Sequence, residues 1–242
     1  MISNKKLAVA AFVGTLALAA LLFLISPFFH IGTVIIEGTS TVSVREVTER
    51  LEIQRDTNLL FFNTRAARRR VMENLYIGDV EFRRGFPDRL YVDVRERRLA
   101  AYVQHTPGSF LFLDYFGRVL EVRSYFTQPL PILEGLQFTR FQLGEILEVP
   151  DPVAFSAVVQ YAQFLYQHGL IDRVTHMNVT DASNIRILVD GRMEFNVGNA
   201  VRADEKIRTI IEVLEQMPNP EVISGFMCLR EIRSEFVFVV LQ

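Results

Sequence analysis

An α+β protein held by one apolar helix is the fold the sequence predicts, and three observations predict it. Residues Leu7 to Phe29 form a run without a single charged side chain. Residues 85–103, "GFPDRLYVDVRERRLAAYV", alternate apolar and polar positions with the period of a half-buried strand. Between those stretches lie two short helical patterns, whereas strands and turns dominate after Leu99.

The apolar run comes first in the chain. At about 1.5 Å per residue, a helix over residues 7–29 reaches slightly more than the roughly 30 Å of a hydrocarbon core. A cleaved signal peptide is the competing reading, because Lys5 and Lys6 form a positive leader and Ala17-Leu18-Ala19 has small residues at cleavage spacing. Cleavage there would leave "LLFLISPFF" on the mature domain, and the run exceeds the usual apolar length of about 7–15 residues. An uncleaved, single-pass anchor fits better. The lysines keep the N-terminus cytoplasmic and place the bulk of the chain outside. The expected parts are a cytoplasmic tail 1–6, a transmembrane helix 7–29, a first external domain 30–98 and a β-rich domain 99–242.

Charge narrows the partners. Lys plus Arg total 26 against 28 Asp plus Glu, and removing Lys5 and Lys6 leaves the exterior with 24 against 28, a net of −4. A weakly acidic exterior speaks against nucleic acid. Lys206 is the only lysine beyond the leader, so external positive charge is nearly all arginine, suited to planar pairs with carboxylates. Cys228, the single cysteine, has no intramolecular partner and reads as a buried, inert residue between Met227 and Leu229.

"FHIGTVIIEG" reads as a first strand ended by Gly38. In "TSTVSVREVTERLEI", Ser43 and Glu46 make a capping box, and Val44, Val47 and Leu51 recur at helical spacing. A second helix through "RAARRRVMENL" sets Ala67, Val71 and Leu75 on one face, with Arg65, Arg68, Arg69 and Arg70 on the other as a solvated face or a face for lipid or a partner. "IGDVEFRR" is the next strand. The Gly85–Asp88 turn then leads into a strand that points Leu90, Val92 and Val94 inward. Strand, helix, helix, strand, strand gives a three-stranded sheet with helices on one face and water on the other, which accounts for the charge on the outer side.

In the second domain, Asp114-Tyr115-Phe116-Gly117 reads as a hairpin loop, and Pro129 and Pro131 punctuate "QPLPILEG". A helix runs from Asp151 as N-cap and Pro152 as first residue to Gly169. "NIRILVDGRMEFNV" is a hairpin around an Asp190-Gly191 turn of type I′. A further helix spans about Arg202 to Met217. The closing "FVFVV", Phe236, Val237, Phe238, Val239 and Val240, is too apolar for a bare edge, so it is either interior or covered by a partner's strand.

The chemistry-bearing patterns are absent. The sequence has no G-x-S-x-G, no H-E-x-x-H, no G-x-x-x-x-G-K-[ST] and no paired C-x-x-C. His30, His105, His168 and His176 are scattered without ligand spacing, and His168, just before Gly169, suits a helix C-terminus. Asn178-Val179-Thr180 matches a glycosylation acceptor, a pattern common by chance. Asp114 and Glu96 stand as lone acids without a second group to work with. No catalytic residue, cofactor, metal or small-molecule substrate is expected.

In order and spacing these segments resemble the FtsQ/DivIB family of bacterial cell-division proteins over essentially the full length. "FHIGTVIIEG" resembles the start of that family's POTRA domain. "FPDRLYVDVRERRLAAYV" resembles the strand leaving it, with the Glu96-Arg97 pair, and "LFLDYFGRVLE" resembles the hairpin that opens its β-domain. "DGRMEFNVG…K", with Gly198 and Lys206, and the final "LREI…FVFVV" also fit, while Leu99 and Cys228 stand where relatives often carry Pro and Asp.

The resemblance implies a non-enzymatic scaffold at the division septum, in which the POTRA domain is 30–98 and the β-domain 99–242. It implies binding to membrane-anchored coiled-coil proteins of the FtsB/DivIC and FtsL type, with the C-terminal strands as a contact and Arg95, Glu96 and Arg97 at the interdomain junction. A POTRA-bearing transport or secretion factor, pairing with client strands, is the alternative, although such proteins usually carry several POTRA copies or a barrel.

Overall fold

The computed structural model describes the backbone of residues 4–217, 224–231 and 238–241, and side chains over 9–217 and 224–231. The chain divides into two compact units, Met1–Arg97 and Arg98–Gln242.

The first unit begins with helix α1, Asn4–Leu24. Its described side chains are exposed on every side, Val9, Phe12, Leu16, Leu18 and Leu22 among them. Among the described residues, whose side chains begin at Val9, no helix is long and apolar enough to cross a membrane. A 3₁₀ turn, Pro27–Phe29, leads to strand β1, Thr33–Glu37. Helices α2, Val44–Leu51, and α3, Thr64–Val71, follow, and strands β2, Ile77–Gly85, and β3, Arg89–Glu96, complete the unit.

β3 is the central strand, parallel to β1 and antiparallel to β2. Its buried positions alternate as expected: Leu90 and Val92 are fully buried and Val94 nearly so. They meet Val47 and Leu51 of α2 and Ala67 and Val71 of α3 in one apolar core. Burying each such side chain contributes about 1.5–3 kcal/mol, so this inner row fixes the register. At Gly38, where φ is +83°, a Cβ would stand 2.0 Å from the carbonyl oxygen of Val94, which is why the turn after β1 requires glycine.

Ser43 caps α2 by accepting the N–H of Glu46 at 3.1 Å. The reciprocal half of the expected capping box is missing, because the Glu46 carboxylate is taken by Asn74 at 2.7 Å and by Arg50. The Asn74 bond ties α2 to the segment after α3 instead.

The described residues of the second unit form a nine-stranded mixed sheet with two α-helices. Its strands are β4, Leu99–Thr106; β5, Ser109–Asp114; β6, Val119–Arg123; β7, Ile132–Glu134; β8, Val174–Asn178; β9, Ile185–Val189; β10, Met193–Gly198; β11, Ser224–Cys228; and β12, Phe238–Leu241. They lie in the order β12-β11-β10-β9-β8-β7-β4-β5-β6. Helix α4, Pro152–Gln167, packs on β4 and on α5, Ala203–Gln216, which packs on β10. α4 is capped by Asp151, which accepts the N–H groups of Val153 and Ala154 at 3.0 Å each.

β7 was not expected. Three residues behind Pro129 and Pro131 carry too little pattern to read as a strand, yet they pair in parallel with β4 on one side and β8 on the other. Pro131 itself contributes its carbonyl to the N–H of Tyr102 at 2.9 Å. The β9–β10 hairpin has the expected turn, with Asp190 and Gly191 both at positive φ and the N–H of Arg192 bonded to Val189 at 3.1 Å. One residue departs from a simple ladder: the register pairs Val189 with Met193 and leaves Arg192 out.

Candidate functional site

The three residues read as a junction have defined partners inside the first unit. Arg95 pairs with Glu81 across β2 and β3 at 2.6 Å, and the N–H of Arg97 donates to the carbonyl of Tyr76 at 2.6 Å. Glu96 does the most. Its carboxylate accepts the backbone N–H groups of Ser40, Thr41 and Val42 at 2.8–3.1 Å and the Ser40 hydroxyl at 2.7 Å. Burial raises its pKa, but the N–H groups of Thr41 and Val42 and both Ser40 donors outweigh that and hold it below the usual carboxylate value. The end of β3 is thereby fastened to the loop that starts α2.

The arginine run does not act as one face. Arg70 turns back to the C-terminus of α2, donating to the carbonyls of Arg50 at 3.0 Å and Leu51 at 2.7 Å and pairing with Glu52 at 3.2 Å. Arg68 pairs with Asp79 on β2. Helix C-termini leave carbonyls without intrahelical donors, and Arg70 answers that need for α2. Arg65 and Arg69 remain exposed.

Of the C-terminal partner-binding set, Phe236 and Val237 lie outside the described residues, as do the side chains of Phe238, Val239 and Val240. The backbone of the last three belongs to β12, which pairs antiparallel with β11, Phe226 opposite Val239. Among the described residues β12 stands at the end of the strand order. Cys228, at the end of β11, is exposed rather than buried. The apolar neighbours that suggested burial, Met227 and Leu229, are indeed buried, but alternation along the strand turns Cys228 to the other side.

β12 rests on β11 and β11 on β10, and the end of β10 is built from buried polar groups that sequence reasoning did not connect. Lys206 of α5, only 2% exposed, donates from Nζ to the carbonyls of Val197 at 2.7 Å and Asn199 at 2.8 Å. The hydroxyl of Tyr161 on α4 reaches the same two carbonyls, at 3.1 and 2.7 Å. Burial, with a smaller contribution from Arg202, lowers the Lys206 pKa. Buried Asn196 accepts the N–H of Gly198 through its side chain at 3.1 Å and the N–H of Leu229 through its carbonyl at 2.7 Å, so β10 and the residue after β11 are locked together. Tyr161 and Asn196 carried no sequence signal beyond lying in a helix and a strand.

The lone acid Asp114 closes its own hairpin, accepting the N–H groups of Phe116 at 2.8 Å and Arg118 at 2.9 Å. His168 lies 2.7 Å from Asp204, joining the end of α4 to the start of α5, and this contact is the main cause lowering the Asp204 pKa. A shallow cleft against β4 is lined by Tyr102, Phe126, Gln128, Pro129, Leu130 and Ile132, with no carboxylate or imidazole in its wall. Among the described residues no group of three or more His, Cys, Asp or Glu side chains is arranged to hold a metal ion.

Comparison with known proteins agrees with this architecture. A family model described as POTRA domain, FtsQ-type, matches residues 29–97. The chain is 23% identical over 224 residues to "Cell division protein DivIB" of Clostridium botulinum strain Hall, across 92% of this chain and 86% of that protein. The same name belongs to a Clostridium tetani relative, 20% identical across 78% of this chain and 71% of the relative, and to one from Staphylococcus aureus, 26% identical across 64% and 36%. The FtsQ-type POTRA match and the DivIB relatives over most of the chain support the FtsQ/DivIB family. β1, α2, α3, β2 and β3 fall within the POTRA match, and the Glu96 clasp closes the last of these strands onto the loop after β1. The relatives, named as cell-division proteins, support a role in cell division for this chain.

Proposed function

We propose that the chain is a non-enzymatic scaffold of the division machinery, held in the cell membrane by residues 7–29 with its N-terminus cytoplasmic and its two units outside, at the septum. Its partners are membrane-anchored coiled-coil proteins of the FtsB/DivIC and FtsL type, docking through strand addition at the C-terminal edge. The observation that carries this reading is the position of β12, among the described residues, at the end of the sheet, on a β10–β11 support fixed by Asn196, Lys206 and Tyr161. An edge strand offers backbone donors and acceptors to another chain, and apolar side chains on it give specificity.

The test compares the two ends of one sheet. Val239→Pro removes a backbone donor from β12, and Val122→Pro does the same on β6 at the other end. Co-purification of the coiled-coil partners should fall at least tenfold for Val239→Pro and stay near wild type for Val122→Pro. Equal retention by both variants rejects the edge. Depletion in the host should leave filaments without septa; normal septation with failed protein export would favour the transport reading instead.

A further inference from the structure

We propose that the POTRA domain sits on the bilayer, with Phe28, Phe61 and Phe86 inserted at the interface around the outer end of α1. This inference rests on the reading of α1 as a membrane anchor. The three phenylalanines are 56%, 62% and 62% exposed, far more than an apolar ring in water favours. They come from three separate places in the sequence, and the fold brings all three to the end of the domain where α1 joins it.

Ring contacts run without a break from the helix to the domain. Phe23, in the last turn of α1, lies 5.7 Å from Phe28 and 5.3 Å from Phe29, and Phe29 lies 6.4 Å from Phe86 in the β2–β3 turn. Hydrogen bonds fix the same junction. Asn58 Nδ2 donates to the carbonyl of Leu24 at 2.8 Å, and the N–H of Leu59 donates to the carbonyl of Phe29 at 2.8 Å. Arg84, near the end of β2, donates to the carbonyls of Leu59 at 2.9 Å and Phe62 at 3.3 Å, so the loop bearing Phe61 and the turn bearing Phe86 are held together at this end.

Depth selects lipid as the occupant. The hydrocarbon segment starts at Leu7, directly after Lys6, and from there to Leu24 the helix rises only about 26 Å. A hydrocarbon core of about 30 Å is not yet crossed, so Ile25 to Phe29 complete it. Phe86, stacked edge-on to Phe29, is then at the level where amphipathic and aromatic side chains collect at the headgroup boundary.

The chain contains no tryptophan, so single-Trp variants report without background. Three are made in the full chain in nanodiscs of phosphatidylcholine and phosphatidylglycerol whose acyl chains carry bromine: Phe86→Trp, Phe12→Trp within α1, and Val44→Trp. Val44 is exposed at the start of α2, beyond the far end of β1, which runs about 17 Å from the junction. Brominated lipid should quench Phe86→Trp by at least half as much as Phe12→Trp and leave Val44→Trp unquenched. Quenching of Phe12→Trp without Phe86→Trp keeps the anchor and overturns the seating. Failure to quench Phe12→Trp removes the anchor reading and the seating with it. Equal quenching of Val44→Trp and Phe86→Trp overturns the seating as well, because it marks general adsorption.

Discussion

The carboxylate of Glu96, the last residue of β3, accepts the backbone N–H of Val42 at 2.8 Å across 54 residues of sequence. With the Ser40 and Thr41 donors it forms a compact anion site in which the anion is part of the chain. Glu96→Gln keeps one acceptor oxygen but turns an NH₂ group toward N–H donors. The cost should be about 1–2 kcal/mol, the lower part of the range for bonds to a charged group because the site is partly open to water. Hydrogen exchange of the Ser40, Thr41 and Val42 amides should accelerate about tenfold. Unchanged exchange there would show that the loop holds itself.

The same clasp has a pH window. The folded-state pKa of Glu96 lies below its ordinary value of 4.5, so the carboxylate contributes stability that is complete above 4.5 and lost as the pH falls through the folded value. Other lowered acids, Asp204 and Glu205, act in the same direction, so wild type alone does not isolate Glu96. The difference in unfolding free energy between wild type and Glu96→Gln does. It should be flat above about pH 5.5 and shrink steadily below 4.5; a difference independent of pH would separate the clasp from the charge.

What could be read in the sequence was local. The row Leu90, Val92, Val94, the Asp151-Pro152 helix start and the Asp190-Gly191 turn each depend on residues a few positions apart, and each forms as expected. What escaped depends on distant partners. The loop that Glu96 binds, the α2 carbonyls that Arg70 covers and the carbonyls shared by Lys206 and Tyr161 lie from 7 to 56 positions away in the chain. Strand β7 escaped for a related reason: three residues have no period, and only neighbours on both sides make them a strand. Cys228 shows the hazard of averaging over neighbours where side chains alternate.

Arg69 and Arg70 are adjacent, yet they should respond differently to truncation. Arg70→Ala removes the donors from two carbonyls at the end of α2 and a partner from Glu52, at an expected cost of about 1–2 kcal/mol. Arg69→Ala, on the exposed side, should stay within about 0.5 kcal/mol of wild type. Denaturant unfolding of the two variants decides, through the midpoint at constant slope. Similar losses in both would restore the run to a single face.

Lys206 and Tyr161 approach the carbonyls of Val197 and Asn199 from two different helices, which makes them a natural double-mutant cycle. The tyrosine has one hydroxyl proton and serves one carbonyl at a time, whereas the ammonium donates to both. Lys206→Met therefore leaves one acceptor without either donor and should cost about 1–2 kcal/mol, partly offset because a desolvated cation is removed. Tyr161→Phe leaves the lysine in place and should cost less. Together the substitutions abandon both carbonyls, so the double variant should lose at least about 0.5 kcal/mol more than the two singles combined. Burial sets the sign with pH. The folded Lys206 gives up its proton below its ordinary value of 10.5, so wild type should gain on Lys206→Met as the pH rises toward 10.5. Additive losses would mean that the two donors act independently, and the end of β10 would then owe its position to packing rather than to this shared cap.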